Sequence, residues 1–251
     1  MPGITIKTPE EIGKLKEGGR LLFEIVKKIS EAVRPGITTL ELDALARQLI
    51  AEAGARPSFE GFGRPPYPAA LCTSVNEELV HCLPGQRVLK EGDIISLDCG
   101  IWHQGLCTDY AVTVPVGRIS AEAEKLLKVT RHSLALAVRQ VKEGVRLGDI
   151  GFAVQNFVEQ NGFSVIRDLV GHGVGYRVHE PPRIANFGSK GKGEVLHAGM
   201  VLAIEPMVAA GNYQIKASNN GWNILTADNS LSAHFEQTVA VARKGAEILT
   251  Q

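Results

Sequence analysis

The feature that most restricts this chain is an internal repeat. Val33-Arg34-Pro35-Gly36-Ile37 is echoed by Val141-Lys142-Glu143-Gly144-Val145, and the helical stretches that follow both end in glycine, at Gly54 and Gly162. Both glycine pairs stand 108 positions apart. Leu89-Lys90-Glu91-Gly92-Asp93-Ile94-Ile95-Ser96-Leu97-Asp98 then matches Leu196-His197-Ala198-Gly199-Met200-Val201-Leu202-Ala203-Ile204-Glu205 at an offset of 107. A third pair, Asp109 to Val114 against Glu236 to Val241, opens each time on a carboxylate and runs into a β-branched strand. Such self-similarity makes two copies of one unit the natural reading. The 251 residues are expected to form one domain, 1–251, with halves of approximately 1–117 and 118–251.

Within each half, helices precede strands. Thr8-Pro9-Glu10-Glu11 combines a capping threonine, a proline at the first helical position and a glutamate three residues on, and Thr38-Thr39-Leu40-Glu41 is a second capping box. Ser120, with Glu122 and Glu124 behind it, opens a third helix, and Leu147-Gly148-Asp149-Ile150 leads into a fourth that ends near Gly162. Helices grouped apart from strands predict an α+β fold, with helices covering one face of a largely antiparallel sheet.

The strands carry the chemistry. Asp98 follows the apolar run Ile94-Ile95-Ser96-Leu97, and Asp109 follows a predicted hairpin turn through Gly100 to Gly105 that sets the two acids side by side. Together with Glu205 and Glu236 they make four strand-borne acids, two from each half. Burying such groups is costly without a compensating charge, and the strand segments contain no Lys or Arg to supply one. A metal cluster is the economical counter-charge. His172 sits in Gly171-His172-Gly173-Val174-Gly175, where small neighbours let backbones approach, His179 precedes Glu180-Pro181-Pro182, and His81 follows Val75-Asn76-Glu77-Glu78-Leu79-Val80. Oxygen-rich ligation with one or two imidazoles suits Co, Mn, Fe or Zn in a two-metal site, whose chemistry is metal-assisted hydrolysis.

Composition removes other classes. Lys+Arg and Asp+Glu both total 27, which leaves no net field to hold nucleic acid or an anionic membrane surface. Residues 1–7, Met1-Pro2-Gly3-Ile4-Thr5-Ile6-Lys7, lack the basic and apolar regions of an export signal, and no apolar run approaches a membrane span. Cys72, Cys82, Cys99 and Cys107 contain no Cys-x-x-Cys pair and read as buried free thiols of a cytoplasmic protein. Gly171-x-Gly173-x-Gly175 does not open a helix, as dinucleotide binding would require, and neither Gly-x-Ser-x-Gly nor His-Glu-x-x-His occurs.

Asp98, Asp109, His172, Glu205 in Ile204-Glu205-Pro206-Met207, and Glu236 resemble the five-ligand set of the pita-bread metallopeptidases. Leu71-Cys72-Thr73-Ser74-Val75-Asn76-Glu77, His81, Val178-His179-Glu180-Pro181 and Ser232-Ala233-His234-Phe235-Glu236 narrow the resemblance to the type I methionine aminopeptidases, over nearly the whole chain. The resemblance implies removal of N-terminal methionine from nascent proteins and peptides, preferentially before a small second residue, as in Met1-Pro2 itself. It implies two divalent ions, bridged by Asp109 and Glu236, with Asp98 on one and His172 and Glu205 on the other. Glu205 is then a proton shuttle, His179 and His81 are catalytic and substrate-binding donors at the scissile amide, and Cys72, Tyr67, Phe62 and Trp222 form the methionine pocket. The implied partners are Met-initiated nascent N-termini, with a transient ribosome contact, for a monomer that uses neither nucleic acid nor membrane. Two departures from the family pattern fall near the pocket: Cys82-Leu83-Pro84 replaces the usual Gly-Ile-Pro, and Val178 precedes His179 where an aromatic is common. A fold member that had lost its metals would be a binding module, but such members lose ligands and all five are present here.

Overall fold

The computed structural model describes residues 3–251, so Met1 and Pro2 lie outside the described residues. Four helices, α1 (Pro9–Ala32), α2 (Thr39–Glu52), α3 (Ala121–Gln140) and α4 (Leu147–Gln160), begin where the capping signals placed them. The Thr8 side chain accepts from the Glu11 amide while the Glu11 carboxylate accepts from the Thr8 amide, and Thr38 with Glu41 repeats the arrangement. Two backbone donors are thereby satisfied at each start. At the end of α4 the chain turns through Gly162 at φ 83°, a left-handed conformation open to glycine at little cost.

The helices cover one antiparallel nine-stranded sheet. Its main path runs Arg56–Pro57, Ile94–His103, Leu106–Pro115, Glu236–Ala242, Val201–Ile204, Gly171–Gly173 and Glu180–Ile184, with Leu71–Val75 and Gly245–Ile248 pairing alongside. Helix α1 packs on the Ile94–His103 and Leu106–Pro115 strands, and α3 packs on α4 and the strands of the second half. Two clusters lie beneath the helices, and a third, with Leu15 and Tyr67 against Val201 and Leu249, spans both halves. Leu22, Ile25, Ile29, Leu42 and Ile50 meet Ile95 and Leu97 in the first, whereas Leu126, Ile150 and Val154 meet Leu202 and Val239 in the second. The halves join where Leu106–Pro115 pairs with Glu236–Ala242, at Glu236↔Ala111 and Gln237↔Tyr110. The four cysteines are free and buried. Among the described residues, no helix is long and apolar enough to cross a membrane.

Candidate active site

Strand register alone gathers the acids. Asp98 pairs with Ala111, and Ala111 pairs on its other side with Glu236, so three side chains in a row share one face. Asp109 lies two residues from Ala111 on that same face and pairs with Gly100. Gln237↔Ile204 sets Glu205, the next residue, beside Glu236, and His172↔Ala203 puts His172 on this face as well. The seam between the halves is therefore where their acids meet. Asp109, His172 and Glu236 each offer a donor atom, all within 4.8 Å of one another. His172 Nε2 lies 3.5 Å from Glu205 Oε1.

The flanking glycines of His172 are dictated by packing. A Cβ on Gly173 would run into the Pro181 carbonyl, and one on Gly171 into the Ala203 carbonyl. His172 Nδ1 is 2.9 Å from the Gly173 carbonyl, which assigns the proton to Nδ1 and leaves Nε2 with its lone pair facing the acids.

Electrostatics make the cluster unstable as bare charge. Burial, with the neighbouring carboxylates, pushes Asp109 and Glu236 far above the ordinary range, and burial alone does so for Glu205. Asp98 is raised by burial and Glu205, against a lowering influence from His234. Burial also brings His172 down to about 3 and His81 to about 4, and lowers His179 and His234. Among the described residues no Lys or Arg pairs with any of the four acids, and Asp98 Oδ1 and Glu236 Oε1 are buried with no hydrogen-bond partner. Orphaned anionic oxygens beside an imidazole lone pair are the environment a hard divalent cation satisfies.

The cluster floors a cavity of 610 Å³ whose walls include Phe62, Tyr67, Cys72, His81, His179 and Trp222. All six, drawn from distant parts of the sequence, are brought to one place. Tyr67 and Trp222 meet edge to face at 5.0 Å between ring centroids, Phe62 meets His179 at 5.1 Å, and His179 meets His172 at 4.3 Å. The Tyr67 hydroxyl lies 3.1 Å from the carbonyls of Leu71 and Cys82. Burial raises both the Tyr67 hydroxyl and the Cys72 thiol, so this wall stays uncharged. His81 follows the Glu78–Val80 strand at φ 59°, a left-handed conformation unusual for a side-chain-bearing residue. Such strain is found where surrounding structure fixes a functional side chain.

Two features of the site went unread in the sequence. Glu180, next to His179, accepts hydrogen bonds from the Tyr176 and Arg177 amides, from the Thr5 hydroxyl and from the buried Lys7 ammonium, the last at 2.7 Å. Burial raises the Glu180 carboxyl, but the Lys7 and Thr5 hydrogen bonds outweigh it and hold the group below its ordinary value. Burial lowers Lys7 and outweighs the opposing pull of Glu180. The 2.7 Å contact, with three further donors on the same carboxylate, forms a buried ion pair. A separation of 173 residues hides this pair from any local pattern. The other feature is His234, quoted above only within a motif. It lies two residues before Glu236, a spacing that could have placed it beside the acids.

Oxygen donors with an imidazole, under an apolar cavity at the join of two related half-units, define a metal-dependent hydrolase of the peptidase kind. Residues 13–243 match the family described as metallopeptidase family M24. A methionine aminopeptidase of Clostridium perfringens is 49% identical over 98% of both chains, and methionine aminopeptidase 1 of Bacillus subtilis is 46% identical over 99% of both. A crystal structure of methionine aminopeptidase from Thermotoga maritima superposes with a TM-score of 0.97 at 44% identity, covering 99% of this chain and 100% of that one. The prolidase of Pyrococcus horikoshii, 21% identical with a TM-score of 0.78, shares the fold over 98% of this chain and 63% of its own. The chain belongs to metallopeptidase family M24, and within it to the methionine aminopeptidases. Membership implies divalent metal ions, and the buried Asp/His/Glu donors fit them.

Proposed function

We propose that this protein removes the N-terminal methionine of nascent proteins and peptides, preferentially when the second residue is small. The observation that supports it best is the group of buried carboxylates with no Lys or Arg partner among the described residues, opening into a largely apolar cavity. In this reading Asp98, Asp109, His172, Glu205 and Glu236 would hold two divalent ions (Co, Mn, Fe or Zn). When bound, the ions supply a nucleophilic water at neutral pH and positive charge for the developing oxyanion.

The chain's own groups do the rest. Glu205 takes the proton of the attacking water and passes it to the departing amine. His179 and His81, kept neutral by burial, donate N–H hydrogen bonds to the scissile amide and its developing charge. Phe62, Tyr67, Cys72 and Trp222 enclose the methionine side chain, with Val178 leaving this wall one aromatic ring short of the family pattern. Residues 1–251 act as one catalytic unit of halves 1–117 and 118–251, a cytoplasmic monomer that meets nascent chains with transient ribosome contact.

A peptide panel tests the reading. Metal-supplied protein is expected to release methionine from Met-Ala-Ser, to act far more slowly on Met-Lys-Ser, and to leave N-acetyl-Met-Ala-Ser intact. No release from folded protein with Mn, Co, Fe or Zn overturns it in favour of a binding module.

A further inference from the structure

His234 closes the Ser232–His234 strand and is 1% exposed. Its backbone is gripped from both sides by one hydroxyl: Thr113 Oγ1 accepts from the His234 amide at 2.9 Å and donates to the His234 carbonyl at 2.7 Å. The imidazole is thus held in place, yet neither ring nitrogen has a hydrogen-bond partner. Nε2 points into the acid cluster, 3.4 Å from Glu205 Oε2 and 3.9 Å from Glu236 Oε2. A buried polar group left unpartnered costs free energy unless it serves a state in which it is satisfied.

The Glu205 carboxylate is shared between two imidazoles. Oε1 faces His172 Nε2 at 3.5 Å, and because the His172 proton is assigned to Nδ1, two lone pairs meet there, an arrangement that needs a cation between them. Oε2 faces His234 instead. The nearest neighbours of His234 Nε2 are two carboxylate oxygens, which are acceptors, so the tautomer that relieves the contact carries the hydrogen on Nε2. The 3.4 Å separation lies just beyond the usual 2.7–3.2 Å of an N–H···O bond, within reach of a small rotation of either side chain. No other side-chain or backbone donor among the described residues reaches the Glu205 carboxylate.

We propose that His234 is a positioning residue for Glu205: its Nε2–H donates to Oε2, so that Oε1 alone is turned toward the metal. This deepens the metallopeptidase reading and rests on it. Without the donor, Glu205 is free to rotate, and both its grip on the ion and its aim as a proton carrier suffer. Loss of hydrogen-bond partners behind metal-ligating groups ordinarily costs about 10–100-fold in metal affinity or activity.

The test compares His234→Leu, which removes the donor at similar volume, with His234→Gln, which offers an amide N–H of similar reach. Read out are kcat and KM on Met-Ala-Ser, metal affinity from chelator competition, and the visible spectrum of the Co(II)-loaded proteins. His234→Leu is expected to lower kcat about 10–100-fold and metal affinity about tenfold with KM nearly unchanged. His234→Gln recovers most of both losses, and all three proteins share one Co(II) spectrum. If His234→Gln is as impaired as His234→Leu and the Co(II) bands change, the imidazole is itself a ligand and the proposal falls. It falls equally if His234→Leu keeps wild-type affinity and kcat. Should His234→Leu fail to fold, His234→Asn, whose amide is too short to reach Oε2, takes its place in the comparison. Affinity and spectrum are read without turnover, so inactivity of the wild type would count against the proposed function alone.

Discussion

An aspartate inside an apolar strand destabilises a protein until something positive meets it. Asp109 is 2% exposed and bordered by Asp98 and Glu205, so removing its charge relieves repulsion in metal-free protein while dismantling the site. Asp109→Asn is expected to melt at or above the temperature of metal-free wild type. It should also lose the metal-induced rise in melting temperature, which for the wild type corresponds to about 2.7 kcal/mol at a metal concentration 100 times Kd. Thermal melts with and without Mn check this, and a full metal response in the variant would contradict it. The four acids were legible as single residues because charge without compensation stands out in an apolar strand, and His172 because of the glycines around it. His234 was not, because an imidazole between Ala233 and Phe235 reads as an ordinary core residue until its distances to Glu205 and Glu236 are known.

At the scale of elements, two short pieces hold the site together. The Gly171–Gly173 strand fits between its neighbours only without side chains on its glycines, so Gly173→Ala is expected to cost about 1–3 kcal/mol and to displace His172. Urea unfolding and metal titration of the variant measure the two effects. The segment before α1 ties down the 174–180 loop through Lys7 and Glu180. Breaking a buried pair leaves one charge uncompensated, so Lys7→Met is expected to lose about 3 kcal/mol near neutral pH. The folded Glu180 carboxyl titrates below its unfolded value, so the stabilisation is complete above the ordinary carboxylate range and disappears as pH falls through the lower folded value. The stability gap between wild type and Lys7→Met, from urea unfolding at several pH values, should narrow on acidification. A gap that stays constant would contradict the assignment. Capping boxes made the helix starts readable, and alternation made the strands readable. The Lys7 strap had no such mark, since only tertiary folding brings position 7 to position 180.

On the two-unit reading proposed above, neither unit is complete apart from the other. The first supplies Asp98 and Asp109, the second Glu205, Glu236 and His172, and the strands that join them meet at the seam beside the acids. A contact at the end of the second half crosses this division: Leu249, held by the hydrogen bond from its amide to the Thr238 carbonyl, lies so close to α1 that a Cβ on Gly19 would strike its carbonyl. Calorimetry is therefore expected to record one cooperative transition, with fragments 1–117 and 118–251 unfolded when made separately. Two separate transitions would contradict the single unit. The repeat made a two-unit reading available in the sequence, whereas the cavity wall is built by packing, since Phe62, Tyr67, Cys72 and Trp222 meet only in the folded chain.

Everything in this reading depends on the buried acids holding catalytic divalent ions. Calorimetric titration of metal-stripped protein with Mn, followed on the same samples by methionine release from Met-Ala-Ser, addresses it most directly. Two ions per chain should bind, with release rising as they bind, and Asp109→Ala should abolish both. Methionine release that persists in fully stripped protein, or a folded protein that binds no metal, would contradict it.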